Sequence, residues 1–116
     1  MQVVISDSSC LIDLRKTSLL DAFLRLPYEL LGFAYALAES CPGCILLTGD
    51  GSLRALARRQ KIEVHGVLWV IDELRVHAIS ATETLLKALQ SMAKDPTVRL
   101  PQRELAAYIK RYGSVS

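Results

Sequence analysis

Two aspartates in the sequence each follow a short apolar segment. Asp7 comes after the β-branched residues 3–5, and Asp50 comes after residues 45–48. Both segments are typical of buried strands, and the ligands of open parallel sheets collect beyond the carboxyl ends of the strands. We therefore expect the two carboxylates to converge. Because gathered carboxylates repel one another unless a cation neutralises them, the pattern indicates a Mg²⁺ or Mn²⁺ site that could activate water to attack a phosphate.

Each aspartate also has a simpler interpretation, as the N-cap of the helix that follows it. The carboxylate of an N-cap residue accepts hydrogen bonds from the first backbone amides of a helix, which otherwise lack partners. This role needs no metal ion. At the second motif Ser52 is a further candidate for the cap. The sequence leaves the capping and the metal-binding interpretations open for Asp7 and for Asp50.

A basic group follows Asp50 in the sequence. Arg54 and Arg58 are one helical turn apart, Arg59 follows directly, and Lys61 comes two residues later. Arg54, Arg58 and Arg59 could hold RNA phosphates beside the predicted metal site. The alternative is an ordinary solvated helix face. The net charge of +2 is too small to indicate a polyanionic partner by itself.

The cysteines occur at positions 10, 41 and 44, which is an odd number in a sequence without a recognisable export signal. This favours reduced thiols over a disulfide framework. Cys41 and Cys44 have the spacing of a redox or zinc motif, but the sequence contains no second pair, and neither histidine has ligand-like spacing with them. We therefore predict a turn with buried thiols at this position.

Apolar segments that alternate with helical patterns position these residues. Strands are predicted at residues 3–5, 45–48 and 62–66. Helices are predicted at residues 18–25, 33–40, from 53 onward, 67–75, 82–92 and 102–112. Strands that alternate with helices indicate a parallel sheet covered on both faces, which is an α/β fold with the three layers of an α/β/α sandwich.

The composition indicates one compact domain over residues 1–116, in which residues 80–116 form a helical C-terminal extension. A hydrophobic content of 51% in 116 residues excludes a mainly disordered protein. Charged residues interrupt every apolar stretch before it reaches the roughly 18 to 20 residues that cross a bilayer. The N-terminus lacks the features of a signal peptide, so we expect a cytoplasmic protein with no membrane partner.

The two aspartate motifs resemble those of the PIN-domain family. Residues 3–9 (VVISDSS) are similar to the opening strand and first catalytic aspartate of that family, and residues 45–54 (ILLTGDGSLR) are similar to its late strand and aspartate. Residues 33–39 resemble the helix that precedes this strand. Residues 66–74 resemble the segment that follows it in toxin-like members.

The resemblance covers residues 1–26 and 32–112 and implies a small α/β/α sandwich. Many bacterial and archaeal members of the family are the ribonuclease toxins of VapC-type toxin–antitoxin pairs. The resemblance therefore implies an endoribonuclease that depends on Mg²⁺ or Mn²⁺, with Asp7 and Asp50 as catalytic residues and metal ligands. RNA and an antitoxin-like protein are the implied partners.

The middle of the sequence departs from the family pattern. Family members have a second strand and a helix with an essential glutamate where this chain has residues 28–31, and they have an aspartate at the position of Leu31. Glu29 and Glu39 do not occupy the positions of the expected metal ligands. The acidic site is therefore incomplete. The alternative function is a catalytically impaired PIN remnant that acts as a protein-binding or oligomerisation module.

The short middle region also has a structural implication. Loss of a strand and a helix would uncover a sheet edge or an apolar face. Because self-association would bury that surface again, we expect a homo-oligomer, and exchange of segments between copies is one way to form it.

Overall fold

The computed structural model describes residues 2–5, 9–30, 43–98 and 100–114 of the protein. The strands are β1 (Gln2–Ile5), β2 (Glu29–Leu30), β3 (Ile45–Leu47) and β4 (Glu63–His65). The helices are α1 (Ser9–Lys16), α2 (Leu20–Leu24), α3 (Gly51–Arg59), α4 (Val67–Val76), α5 (Thr82–Lys94) and α6 (Gln102–Gly113). Outside the described residues lie Asp7, Leu31, Glu39, Cys41 and the helix predicted at residues 33–40.

The chain divides into two compact units. The first combines Met1–Ile12 with Pro27–Val67 and contains all four described strands. The second combines Asp13–Leu26 with Leu68–Ser116, and its described elements are helices. The expectation of a single domain over residues 1–116 stays a prediction.

The first unit is built on a parallel sheet with the strand order β2-β1-β3-β4. Ile5, the last residue of β1, is aligned with Leu47 of β3, which is aligned in turn with His65 of β4. The carboxyl ends of these three strands therefore meet at one edge of the sheet, which we call the carboxyl edge. The α/β class and the parallel sheet that the sequence predicts are confirmed.

Strand β3 is buried on both of its faces. Ile45, Leu46 and Leu47 are each 0% exposed. Because successive side chains of a strand point to opposite faces, three buried residues in a row require cover on both. Leu46 packs in a cluster with Ala57 of α3 and Val64 of β4. Helix α3 thus covers the sheet next to the strand that precedes it.

Strand β2 is a feature that the sequence analysis left unclassified. Gln2 and Val3 of β1 are aligned with Glu29 and Leu30, so the short middle region retains a two-residue strand at the edge of the sheet. A strand of two residues is too short to show the alternation of apolar and polar side chains by which strands are recognised in a sequence. The hydrogen bonds of β1, which are non-local contacts, decide their conformation.

The two described cysteines follow the sequence prediction only in part. Cys44 is disulfide-bonded, whereas Cys10 is buried and forms no disulfide. The prediction of a reduced thiol at Cys44 is therefore wrong. An odd number of cysteines excludes complete pairing, but it leaves room for one disulfide and one free thiol. Gly43, with a φ of 82°, forms the turn that leads into Cys44.

Three helices end with the same backbone motif. The residue after the C-cap of α1, α3 and α4 is left-handed, with φ values of 61° at Ser18, 60° at Lys61 and 55° at Ala78. In each case the following amide donates to the carbonyl five residues earlier, which closes a Schellman motif. Because Ser18 is left-handed, the helix predicted at residues 18–25 begins only at Leu20, as α2. Helix α1, which ends at Lys16, was not predicted from the sequence.

The second unit is held together by apolar faces of its helices. Helices α5 and α6 pack against each other. Their buried side chains include Leu85, Leu89 and Met92 of α5 and Leu105 of α6. Helix α5, the longest described helix, has 13 residues. No helix in the described ranges is long and apolar enough to cross a membrane.

Asp72 of α4 accepts three hydrogen bonds from side chains of α6. Tyr112 Oη and Arg111 Nη2 donate to Oδ1 at 2.6 and 2.8 Å, and Tyr108 Oη donates to Oδ2 at 2.8 Å. The Arg111 guanidinium lies 4.5 Å from the centre of the Tyr108 ring, where cation–π attraction adds to the contact. We call this group the Asp72 clasp. It joins α4 to α6 through polar contacts.

The left-handed residue at Ala78 predicts that glycine is better at this position. Ala78→Gly is expected to raise the free energy of unfolding by about 0.5–1 kcal/mol, because glycine avoids the left-handed strain of roughly 1–2 kcal/mol but loses more backbone entropy on folding. Ala107→Gly, at an exposed position inside α6, is the matched control and is expected to lower it by about 1 kcal/mol. Urea titration measures both, and equal destabilisation by the two changes would contradict the assignment.

The Asp72 clasp predicts a loss of stability at high pH. Burial, followed by the hydrogen bond to Asp72, raises the pKa of Tyr112 from 10.0 to about 12. The folded protein therefore holds this proton more tightly than the unfolded chain, so the stabilisation is complete below pH 10 and is lost as the pH rises through about 12. Burial also raises the pKa of Tyr108, in the same direction.

Tyr112→Phe is expected to lower the free energy of unfolding at pH 7 by about 1–2 kcal/mol, because a buried hydrogen bond to a carboxylate is lost. It should also reduce the fall in stability above pH 10, and the remaining fall reflects Tyr108. Urea titrations at a series of pH values measure both effects. An unchanged pH dependence in the variant would show that Tyr112 does not titrate in this way.

Candidate functional site

The segment that leaves β3 at the carboxyl edge is fixed by two hydrogen bonds of Thr48. The Thr48 backbone amide donates to the His65 carbonyl at 3.0 Å, and the Thr48 Oγ1 accepts from the Asp50 amide at 3.1 Å. Thr48 is 0% exposed, which is unusual for a polar residue unless its groups are paired. The position of Asp50 is therefore set by the end of the sheet.

Asp50 is the N-cap of α3. Its Oδ1 accepts hydrogen bonds from the amides of Ser52 at 2.8 Å and Leu53 at 3.2 Å, and its carbonyl accepts from the Arg54 amide at 2.9 Å. The capping interpretation of Asp50 is thus confirmed, and the assignment of the cap to Ser52 is wrong. Ser52 is already inside the helix, and the carboxylate two residues earlier reaches the free amides of the first turn.

Capping leaves half of the Asp50 carboxylate available. The side chain is exposed, and within the described residues its hydrogen bonds all involve Oδ1, so Oδ2 remains an open acceptor. A magnesium ion keeps several waters and is commonly held by one or two carboxylates. Asp50 therefore fits the role of a single oxygen ligand. Residues 2–5, 9–30, 43–98 and 100–114 contain no group of three or more metal-ligating side chains.

Among the described residues of the first unit, Glu29 lies away from Asp50, whereas His65 lies at the same edge. Glu29 is aligned with Gln2, whereas the carboxyl edge lies at Ile5, three residues further along β1 and about 10 Å away. Glu29 therefore lies at the opposite end of the sheet from Asp50. His65 is the last residue of β4 and lies at the carboxyl edge. Its Nε2 lies 2.9 Å from the Glu63 carboxylate.

The structure gives the three candidate arginines two different environments. Arg58 and Arg59 are exposed in the last turn of α3, where cations are favoured by the negative end of the helix dipole. Arg54 is half-buried in the first turns, next to Gly66. The prediction that these residues bind RNA stays a prediction, and the expected convergence of Asp7 with Asp50 also stays one, because Asp7 lies outside the described residues.

Thr48 is the residue at this site that the sequence analysis did not single out. A usable signal was present, because a threonine that ends an apolar strand two residues before an aspartate can bond the amide of that aspartate. The half-buried position of Arg54 had no comparable signal. An arginine on a predicted amphipathic helix is ordinarily assigned to its solvated face.

A comparison with protein families finds one match relevant to this site. The family model DUF3368, described as a PIN domain, matches residues 33–114. The matched region includes Asp50 and the three arginines but not Asp7. Curated proteins and solved structures yield no match to the chain.

The cap at Asp50 predicts that two substitutions have different effects on stability. Asp50→Ala is expected to lower the free energy of unfolding by about 1 kcal/mol, because the amides of Ser52 and Leu53 lose their acceptor. Asp50→Asn is expected to change it by only a few tenths of a kcal/mol, since asparagine caps helices about as well as aspartate. Thermal and urea unfolding measure the difference. Equal destabilisation by both changes would show that the charge, and not the cap, is what the fold requires.

Proposed function

Because the matching family model spans well over half of its residues, the chain belongs to the PIN-domain family, and on this premise we propose that it is a metal-dependent endoribonuclease. The family assignment gives the chain a PIN-type nuclease-like fold, and PIN domains generally depend on divalent metal ions. The observation that carries the proposal is the Asp50 carboxylate. It lies at the carboxyl edge within the matched region, and among the described residues only one of its oxygens is hydrogen-bonded.

We assign Asp7 and Asp50 as the ligands of Mg²⁺ or Mn²⁺. Support for this pairing comes from the sheet, because β1 and β3 are adjacent and parallel, and Ile5 is aligned with Leu47 at their carboxyl ends. Asp7 follows Ile5 by two residues in the sequence, and Asp50 follows Leu47 by three. When bound, the metal ion supplies a water of lowered pKa and stabilises charge on the phosphate.

The described residues of the site act by holding groups in position. Thr48 fixes the backbone of Asp50, and the two amides of α3 fix Oδ1, so the orientation of Oδ2 is set before a ligand arrives. The exposed Arg58 and Arg59 add positive charge that attracts the RNA backbone. Because these groups are already ordered, less conformational entropy is lost when a ligand binds.

A second candidate function is a catalytically impaired PIN remnant that binds a protein or a second copy of itself. Two observations favour it. No cluster of three metal-ligating groups is present in the described ranges, and Glu29 lies at the end of the sheet away from Asp50. The partner in that case is an antitoxin-like protein or a homo-oligomer, which exchange of segments could form. In either case we place the protein in the cytoplasm, where RNA and such partners occur.

The test combines metal binding with RNA cleavage. Manganese is titrated by calorimetry into the wild-type chain and into Asp7→Asn and Asp50→Asn, and the same samples are assayed for cleavage of a single-stranded RNA. Each substitution is expected to weaken manganese binding by at least about tenfold and to reduce cleavage by a larger factor. Asp50→Asn is informative because it retains the cap of α3, so a loss of metal binding is separated from a loss of folding.

Asp21→Asn, at an exposed aspartate of α2, is the matched control and should leave both measurements unchanged. A folded wild-type protein that neither binds manganese nor cleaves RNA would reject the nuclease and support the remnant. Cleavage that persists in chelator would reject the metal-dependent mechanism. Analytical ultracentrifugation then measures the oligomeric state. A protein that sediments as a monomer at working concentration would exclude the predicted homo-oligomer.

A further inference from the structure

Arg54 reaches the carboxyl edge from its position on α3. A methyl group in place of the Gly66 α-hydrogen would lie 4.0 Å from Arg54 Nη1 and 3.6 Å from the Thr48 carbonyl oxygen. Thr48 and Gly66 are the first residues beyond β3 and β4, respectively. The guanidinium therefore packs against the backbone where both strands end. Asp50 follows Thr48 at the same edge, and its carbonyl accepts the Arg54 amide.

One nitrogen of the Arg54 guanidinium has no hydrogen-bond partner among the described residues. In the described part of the chain the Arg54 Nε is buried and has no hydrogen-bond acceptor. None of the salt bridges found there includes Arg54. A buried donor of a charged group that stays unpaired is destabilising, and such groups occur at sites that receive a ligand. Every other buried side-chain donor or acceptor of the described residues has a hydrogen-bond partner. Arg54 Nε is therefore the exception among them.

We infer that Arg54 binds a phosphate of the RNA backbone at the carboxyl edge, beside Asp50. A guanidinium is planar, and its Nε–H and one Nη–H lie parallel, so they can donate together to two oxygens of one phosphate. The contact needs a rotation of the side chain, which its partial exposure permits and which brings Nε to an acceptor. This inference rests on the proposed function for its substrate, RNA, and gives the acidic site a residue that holds the phosphate.

The surroundings of Arg54 favour a polyanion over a single carboxylate. Arg58 lies one helical turn further along α3 and Arg59 follows it, so the positive charge continues away from the site along the helix. A chain of phosphates can contact such a series of cations, whereas an acidic side chain of a partner protein satisfies Arg54 alone. Arg54 differs from the other two arginines because it is half-buried and its guanidinium lies next to the backbone of Gly66.

The experiment measures RNA binding without cleavage. The anisotropy of a short fluorescein-labelled single-stranded RNA is followed in EDTA at several salt concentrations. Wild-type chain is compared with Arg54→Gln and Arg54→Lys, and with Arg103→Gln, which removes the same charge from an exposed position of α6. Arg54→Gln is expected to reduce the slope of log K against log salt by about 0.7, the value for one phosphate contact with a single strand, and to weaken binding by about tenfold.

Arg54→Lys keeps the charge but cannot donate two parallel hydrogen bonds. It is therefore expected to retain the salt dependence of the wild type while losing affinity. Arg103→Gln should leave both quantities unchanged. Thermal unfolding of each variant accompanies the binding data. If Arg54→Gln does not fold, Arg54→Lys, which keeps a long aliphatic chain, provides the test of the phosphate contact.

Several results would overturn the inference. One is a wild-type chain that does not bind the RNA, and another is an equal effect of Arg54→Gln and Arg103→Gln. A lower melting temperature with an unchanged salt slope would assign Arg54 to packing against Gly66. Binding of an acidic peptide in place of RNA, lost in Arg54→Gln, would point to a protein partner. RNA binding that depends on Arg54 in a chain that shows no manganese-dependent cleavage would support the inference and reject only the nuclease.

Discussion

The burial of β3 on both faces is the constraint from which the rest of the first unit follows. Three consecutive side chains without solvent exposure require that the strand lie inside the sheet, and its backbone groups must then find partners on both sides. Strands β1 and β4 supply those partners, and α3 covers one face through Ala57. The position of Asp50 is a consequence, because the chain must leave this buried strand at the carboxyl edge and enter α3 within three residues.

The same constraint gives Asp50 two roles that use different oxygen atoms. Oδ1 completes the hydrogen bonding of α3, and Oδ2 accepts no hydrogen bond from the residues that the structure describes. A residue with both roles cannot be assigned by asking whether it is structural or functional. Its replacement by alanine changes folding and chemistry together, whereas asparagine separates them. Arg54 has a comparable double character, because its side chain packs on the end of the sheet and its Nε has no acceptor within the described ranges.

The extent to which the sequence predicts this structure depends on how local the determining contacts are. Strands β1, β3 and β4 and helices α3 to α6 have apolar patterns long enough to be recognised, and their bounds agree within a few residues. Strand β2 was missed because its pairing with β1 comes from a distant segment. Helix α1 was not predicted, and the later start of α2 was missed because Ser18 adopts a left-handed conformation that glycine usually signals. At the site, the location of Asp50 was predicted from its position after a strand. The cap, the hydrogen bond of Thr48 and the packing of Arg54 depend on atomic distances that residue spacing does not contain.

The strand order has a consequence for the way the protein is made on the ribosome. Strand β1 is synthesised first, but it lies inside the sheet between β2 and β3. Its partner in β3 is some forty residues later in the sequence, with Ile5 aligned to Leu47. The apolar segment of β1 must therefore wait, with only the two-residue β2 as an earlier partner, until most of the first unit has emerged. During that interval the nascent chain is most exposed to wrong pairing, and among the described strands β1 waits longest for its partners.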